Sequence, residues 1–250
     1  MTILILGGTS EARALAAALV HAGKDVLTSL AGRVSEPALP AGWVRIGGFG
    51  GVAGLAAFLR AEGITAMVDA THPFAARIGA NAAAAADQTG VPLLRLERPG
   101  WADHPRAGSW TWVADADAAR DAALPYDRPF LTTGRQSLAA FLGWADRHVL
   151  VRVVDPPETP VPARWTVVTA RGPYPYADER RLMIDFGVDI LLTKDSGGSA
   201  TAAKLDAAGD LGIPVVVIAR PARPAGVSTV TNVVDALAWP ALGRPDPGSA

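Results

Sequence analysis

The sequence predicts an α/β protein built on mainly parallel sheets. Short apolar runs alternate with stretches of helical apolar spacing, and such alternation makes βαβ units, whose strands are parallel. Conspicuous Gly, Thr, Ser and Arg motifs follow the apolar runs, where open parallel sheets bind their ligands. The chain has 250 residues, 50% of them hydrophobic, enough core for one large domain or two small ones.

Thr2–Leu6 is a continuous apolar run rich in β-branched residues, interrupted by Gly7-Gly8-Thr9. Ser10–Val20 then has helical spacing at Ala14, Leu15, Ala18 and Leu19, and His21-Ala22-Gly23 ends it. Val26–Leu30 and Trp43–Ile46 read as strands, Gly54–Arg60 as a helix and Ala66–Ala70 as a strand. Ala75–Ala86 is an alanine-rich helix closed by Thr89-Gly90, and Val91–Leu96 is a fifth strand. Trp101, Pro105, Gly108 and Pro125 break the pattern, which sets a boundary within 99–128.

The second half repeats the style. Phe130–Thr132 is a strand followed by a helix from Ser137, and His148–Val153 and Thr166–Val168 are strands. Asp178–Phe186 is a helix, Ile190–Leu192 a strand, Thr201–Ala208 a helix and Val215–Ile218 a strand. The Gly243–Ala250 tail is rich in Pro, Gly and Ser and is expected to fray. The expected division is a dinucleotide-binding domain over 1–120 and a substrate domain over 121–250.

Composition excludes several classes. A net charge of −1 with 19% charged residues is no broadly basic coat, so no nucleic-acid partner is expected. The absence of cysteine excludes disulfides, zinc-thiolate sites and a thiol nucleophile, and fits a cytoplasmic location. No apolar run approaches a membrane span, and the first residues lack the features of a signal peptide, so no membrane association is expected. Arginine outnumbers lysine 20 to 3. Guanidinium forks suit carboxylates and phosphates, and several arginines fall in the motifs.

Gly7-Gly8-Thr9-Ser10-Glu11-Ala12-Arg13 follows the first strand. A glycine turn there lets backbone amides approach a pyrophosphate at a helix N-terminus, although Thr9 stands where a second fingerprint glycine is usual. Dinucleotide enzymes that prefer NAD place an acid at the end of the second strand to hold the ribose hydroxyls. Here that strand ends Thr28-Ser29-Leu30, with Arg33 close behind. A hydroxyl and a guanidinium suit a 2′-phosphate, so NADP(H) is the expected cofactor. Gly47-Gly48-Phe49-Gly50-Gly51 would let backbone pass close to it. Asp69-Ala70-Thr71-His72-Pro73-Phe74 places Thr71 and His72 beside the same site. In the second half, Thr133-Gly134-Arg135, Arg171 and Lys194-Asp195-Ser196-Gly197-Gly198 offer carboxylate-binding groups.

In order along the chain, these motifs resemble the precorrin-6A reductase family. The resemblance rests on Gly7–Arg13, Ser29–Arg33, Gly47–Gly51, Asp69–Ala75, Arg95–Pro99, Thr132–Arg135 and Lys194–Gly198, and runs from residue 3 to about 221. It implies two Rossmann-like halves with NADPH in a ligand cleft between them. It also implies reduction of one carbon–carbon double bond of precorrin-6A, giving precorrin-6B on the way to cobalamin. Such a macrocycle, flat and multiply carboxylated, needs cationic walls. Arg95, Arg98, Arg135, Arg171, Lys194 and Lys204 are the candidates, with Thr133, Gly134, Ser196 and Gly197 beside them.

The expected cofactor set is therefore Gly7, Gly8, Thr9, Ser10, Glu11, Arg13, Ser29, Arg33, Gly48, Phe49, Gly50, Thr71 and His72. Lys194, Asp195 and His72 are the candidate proton donors, and no metal is expected. Transient contact with neighbouring pathway enzymes is a further expectation. The rival readings are a cobalt-precorrin-6A reductase and a non-catalytic tetrapyrrole carrier. A short-chain dehydrogenase is disfavoured because none of Tyr126, Tyr174 and Tyr176 has lysine four residues on. The missing acid at the end of the second strand disfavours a methyltransferase.

Overall fold

The computed structural model describes residues 1–32 and 38–243. The expectations for Arg33 and for the 244–250 part of the tail lie outside the described residues.

The chain forms two units, residues 1–99 with 221–250, and residues 100–220. In unit 1, β1 (Thr2–Leu6), β2 (Asp25–Leu30), β3 (Trp43–Ile46), β4 (Ile64–Asp69) and β5 (Leu93–Leu96) pair in parallel with a late strand, β12 (Ser228–Val230). The sheet order is β3-β2-β1-β4-β5-β12. This is the doubly wound 3-2-1-4-5-6 order of dinucleotide-binding sheets. Such strands are covered on both faces and read as unbroken apolar runs, as β1 does. One face of Ile3, Ile5, Val26, Val68 and Leu94 packs on α1 (Ser10–His21) and α7 (Val233–Leu237). The other, with Leu4, Leu6 and Met67, packs on α2 (Val52–Ala61) and α3 (Ala76–Thr89). The chain therefore winds in opposite senses from β1 and β4, and the crevice at their carboxyl ends is the switch point where such folds take ligands.

Unit 2 repeats the order with one rearrangement. Its strands are β6 (Thr111–Val113), β7 (Pro129–Thr132), β8 (Leu150–Val153), β9 (Thr166–Thr169), β10 (Ile190–Lys194) and β11 (Val215–Ile218). The order is β9-β8-β7-β10-β11-β6, again parallel throughout. The sixth place is filled by the unit's first strand. A buried cluster of Phe130, Leu150, Leu191 and Val217 packs against Met183 of α5 (Tyr176–Phe186) and Leu205 of α6 (Ala203–Asp210). The short α4 (Ala116–Ala122) packs on the 3-10 turn Arg135–Phe141 that replaces the expected helix from Ser137.

The boundary falls at 99/100, within the expected 99–128 range rather than at 120/121. Residues 100–120 belong to unit 2, because β6 pairs with β11 through Thr111↔Val216. The segment after Arg220 returns to unit 1, because β12 pairs with β5 and Ala236 and Leu242 enter the unit 1 core. β6, β12, α4 and α7 are short, and periodicity missed them. Their N-caps were readable: Asp115 accepts from the Ala118 amide and Asn232 from the Asp235 amide.

Candidate functional site

At the carboxyl edge of the unit 1 sheet, the β1–α1 turn is shaped for close approach. A Cβ on Gly7 would come 2.7 Å from Thr28 Cγ2, so only glycine lets the turn lie against β2. Gly8 has φ +114°, a conformation that side chains rarely adopt, and a Cβ there would meet nothing within 4 Å. Thr9, standing in place of the second fingerprint glycine, is the N-cap of α1. Its hydroxyl accepts the Ala12 amide at 3.1 Å and donates to the Ala70 carbonyl at 2.8 Å. The Thr9 side chain thus ties the β1 turn to the end of β4 and is engaged by the protein itself. Glu11 occupies the helix start: its carboxylate bonds its own amide, the Ser10 hydroxyl and, at 2.9 Å, Arg98. Burial would raise this acid, but those hydrogen bonds and the Arg98 charge hold it below the usual carboxylate range.

The β4 end is a closed ionic network. Asp69 Oδ1 accepts both the amide and the hydroxyl of Thr71, and Asp69 Oδ2 lies 2.7 Å from Arg95. Arg95 also holds Glu97 at 2.9 Å, and Arg223 reaches Glu97 from the returning segment. Burial would raise Glu97, but Arg95 and Arg223 outweigh it and lower the acid. Arg95 and the Thr71 hydroxyl therefore order the loop that carries His72. Both are buried, and Arg95 lies among carboxylates. His72 Nδ1 accepts the Phe74 amide, so the neutral ring carries its proton on Nε2.

At the β2 end, Ser29 is buried and its hydroxyl accepts from Arg45 at 2.9 Å. Arg45 also donates to the carbonyls of Gly47 and Gly48 and lies 4.0 Å over the Phe49 ring. Phe49 is edge-on to Phe58 of α2 and belongs to that apolar layer. Gly50 and Gly51 both have positive φ. Sequence reasoning missed Arg45. Its register with Ser29 across β2 and β3 was the available signal.

In unit 2, Thr133-Gly134-Arg135 follows β7, and Lys194 ends β10 with Asp195–Gly198 after it, at the two strands of that sheet's switch point. Gly134 has φ +80°, and the Thr133 hydroxyl oxygen is buried without a hydrogen-bond partner. Arg135 lies 3.5 Å from Glu158. Burial lowers Lys194 from the usual lysine range. Ser196 and Gly197 are in the same loop, and Arg171 is exposed in the loop after β9.

Asp195 and Lys204 are both buried and engaged within unit 2. Asp195 is buried, accepts the Trp101 amide and pairs with Arg220, so its carboxylate holds the fold. Lys204 lies inside, its Nζ 4.6 Å over the Trp101 ring and donating to the Thr201 carbonyl. Among the described residues there is no cluster of His, Asp and Glu that could hold a metal, and no helix long and apolar enough to cross a membrane.

Two doubly wound parallel sheets, each with glycine-bearing loops at its switch point, define a protein of the doubly wound α/β class. The family model described as "Precorrin-6x reductase CbiJ/CobK" matches residues 2–239, and the chain belongs to that family. A Rhodococcus erythropolis protein named precorrin-6A reductase is 53% identical over 241 residues, covering 95% of this chain and 96% of its own length. A Priestia megaterium protein named cobalt-precorrin-6A reductase is 32% identical over 94% of this chain and 97% of its own length. A solved structure titled "CobK precorrin-6A reductase" superposes with a TM-score of 0.91 at 42% identity and covers 100% of both chains.

Proposed function

We propose that this chain reduces one carbon–carbon double bond of precorrin-6A with NADPH, giving precorrin-6B in cobalamin biosynthesis. The observation that carries the reading is the 53% identity to a protein named for that reaction, sustained over 95% of the chain. The metal-free substrate is favoured over the cobalt form because the relative bearing the cobalt name is only 32% identical.

The unit 1 residues fit a phosphorylated dinucleotide. Gly7 has no side chain against β2, Gly8 leaves clear space before α1, and the β2 end presents a hydroxyl where NAD enzymes carry an acid. Bound beside these residues, NADPH would supply the hydride, becoming NADP⁺, and a proton would complete the second C–H bond. The protein's part is to position and to exclude water. The Asp69–Arg95–Thr71 network fixes the His72 loop, whose Nε2 proton is one source for that bond. Lys194, lowered by burial, is another, while Arg135, Arg171, Ser196 and the buried Thr133 hydroxyl are the candidates for binding the substrate carboxylates.

The test is rapid mixing of the purified protein with NADPH and precorrin-6A, with NADH and cobalt-loaded substrate as comparisons. The expected result is NADPH oxidation matched to product, slower with NADH and with the cobalt substrate. Tight binding of both ligands without oxidation would mean a carrier instead.

A further inference from the structure

We propose that Arg45 reads the ribose 2′-phosphate and thereby sets the preference for NADPH over NADH; this deepens, and rests on, the NADPH reading above.

Arg45 is half-buried on β3, opposite Ser29, at the carboxyl edge of the unit 1 sheet. Ser29 stands about twenty residues beyond the β1 glycine turn, where an acid would grip the two ribose hydroxyls of NAD. In place of that acid, the structure has a serine hydroxyl with a guanidinium on it at 2.9 Å.

The guanidinium is held rigidly. Nη1 donates to Ser29 Oγ and the Gly47 carbonyl, Nη2 donates to the Gly48 carbonyl, and Cζ lies 4.0 Å from the Phe49 centroid and 5.0 Å from the Phe58 centroid. Three of its five N–H groups are engaged. The Nε–H and one Nη2–H have no acceptor among the described residues.

Its charge is also unmatched. The other arginines near this edge, Arg95 and Arg98, face carboxylates, whereas Arg45 has no carboxylate partner among the described residues. A fixed cation on an aromatic platform, with donors to spare and no counter-ion among the described residues, suits a phosphate monoester dianion. The two carbonyls it gathers hold the Gly47–Gly51 loop against α2. Gly54 makes this possible, since a Cβ there would lie 1.7 Å from the Phe49 carbonyl oxygen.

The experiment is direct binding, read by calorimetry and tryptophan fluorescence, without substrate. NADP⁺, NAD⁺, 2′,5′-ADP and 5′-AMP are titrated into the wild type, Arg45→Ala, Arg45→Lys, Ser29→Asp and Arg33→Ala. Arg45→Ala should weaken NADP⁺ and 2′,5′-ADP about ten- to a hundredfold and leave NAD⁺ and 5′-AMP within about twofold. Arg45→Lys should recover part of the loss. Ser29→Asp adds an acid beside the guanidinium and should invert the preference towards NAD⁺. Equal losses for phosphorylated and unphosphorylated ligands across these variants would overturn the assignment. So would a selective loss in Arg33→Ala but not in Arg45→Ala. If the wild type binds neither dinucleotide, the cofactor reading itself fails. If it binds both equally, a dinucleotide site stands but a 2′-phosphate reader does not.

Discussion

Asp195 and Arg220 form an ion pair, Oδ2 to Nε at 3.2 Å, and the same carboxylate accepts the Trp101 amide at 2.9 Å. Arg220 is the last residue of unit 2 and Trp101 the second. One buried side chain thus staples both ends of the unit. Asp195→Ala should destabilise the protein by about 3–5 kcal/mol, because Arg220 loses its counter-ion. Asp195→Asn keeps an acceptor for the Trp101 amide and should cost less. Urea unfolding measures both. If Asp195→Asn abolished turnover at wild-type stability, the carboxylate would have a chemical role.

Arg152 and Glu179 form a second buried ion pair, with the guanidinium 3.7 Å over the Tyr174 ring. Glu179 Oε2 has no hydrogen-bond partner among the described residues. Arg152→Ala should cost about 3–5 kcal/mol by leaving that carboxylate enclosed and unpaired. Replacing both residues, Arg152→Met with Glu179→Leu, should recover most of the loss. A double-mutant cycle in denaturant reads the coupling.

Burial, together with the Arg152 charge, brings Lys204 from its ordinary 10.5 down to about 7, against the opposing pull of Glu179. Between those values the unfolded chain holds the proton and the folded chain does not, so unfolding takes one up. Stability should therefore rise with pH from about 7 to 10.5, by at most about 1.4 kcal/mol per unit from this group, and show no slope from it below. Subtracting the pH profile of Lys204→Met from that of the wild type isolates the effect. Identical slopes would mean that the lysine stays charged in the fold.

Gly7 and Gly8 are required for different reasons. Gly7→Ala should cost about 1–3 kcal/mol through contact with the buried Thr28 methyl, and Thr28→Ser in the same chain should restore part of it. Gly8→Ala should cost about 1–3 kcal/mol through backbone strain, and no neighbouring substitution should rescue it. Melting temperatures of the three variants distinguish steric from conformational origin.

The sequence by itself determined the repeating layers. Runs such as Thr2–Leu6, Ile190–Leu192 and Val215–Ile218 are apolar on both faces because helices cover both sides of a parallel strand, so local pattern carried the information. It also placed the loops at both switch points, since glycine and hydroxyl residues mark strand-to-helix turns. Only the tertiary structure decided that β6 and β12 fill the sixth places of their sheets, because three-residue edge strands are defined by their partners rather than by periodicity. The same holds for charge. Arg45, Arg95, Asp195 and Lys204 are polar residues whose roles depend on what they meet in space. Arg95 meets Asp69 and Glu97, Asp195 meets Arg220, and Arg45 meets a serine and no carboxylate among the described residues. Electrostatic roles are set by distances between residues remote in sequence, and those distances exist only once the sheets have formed.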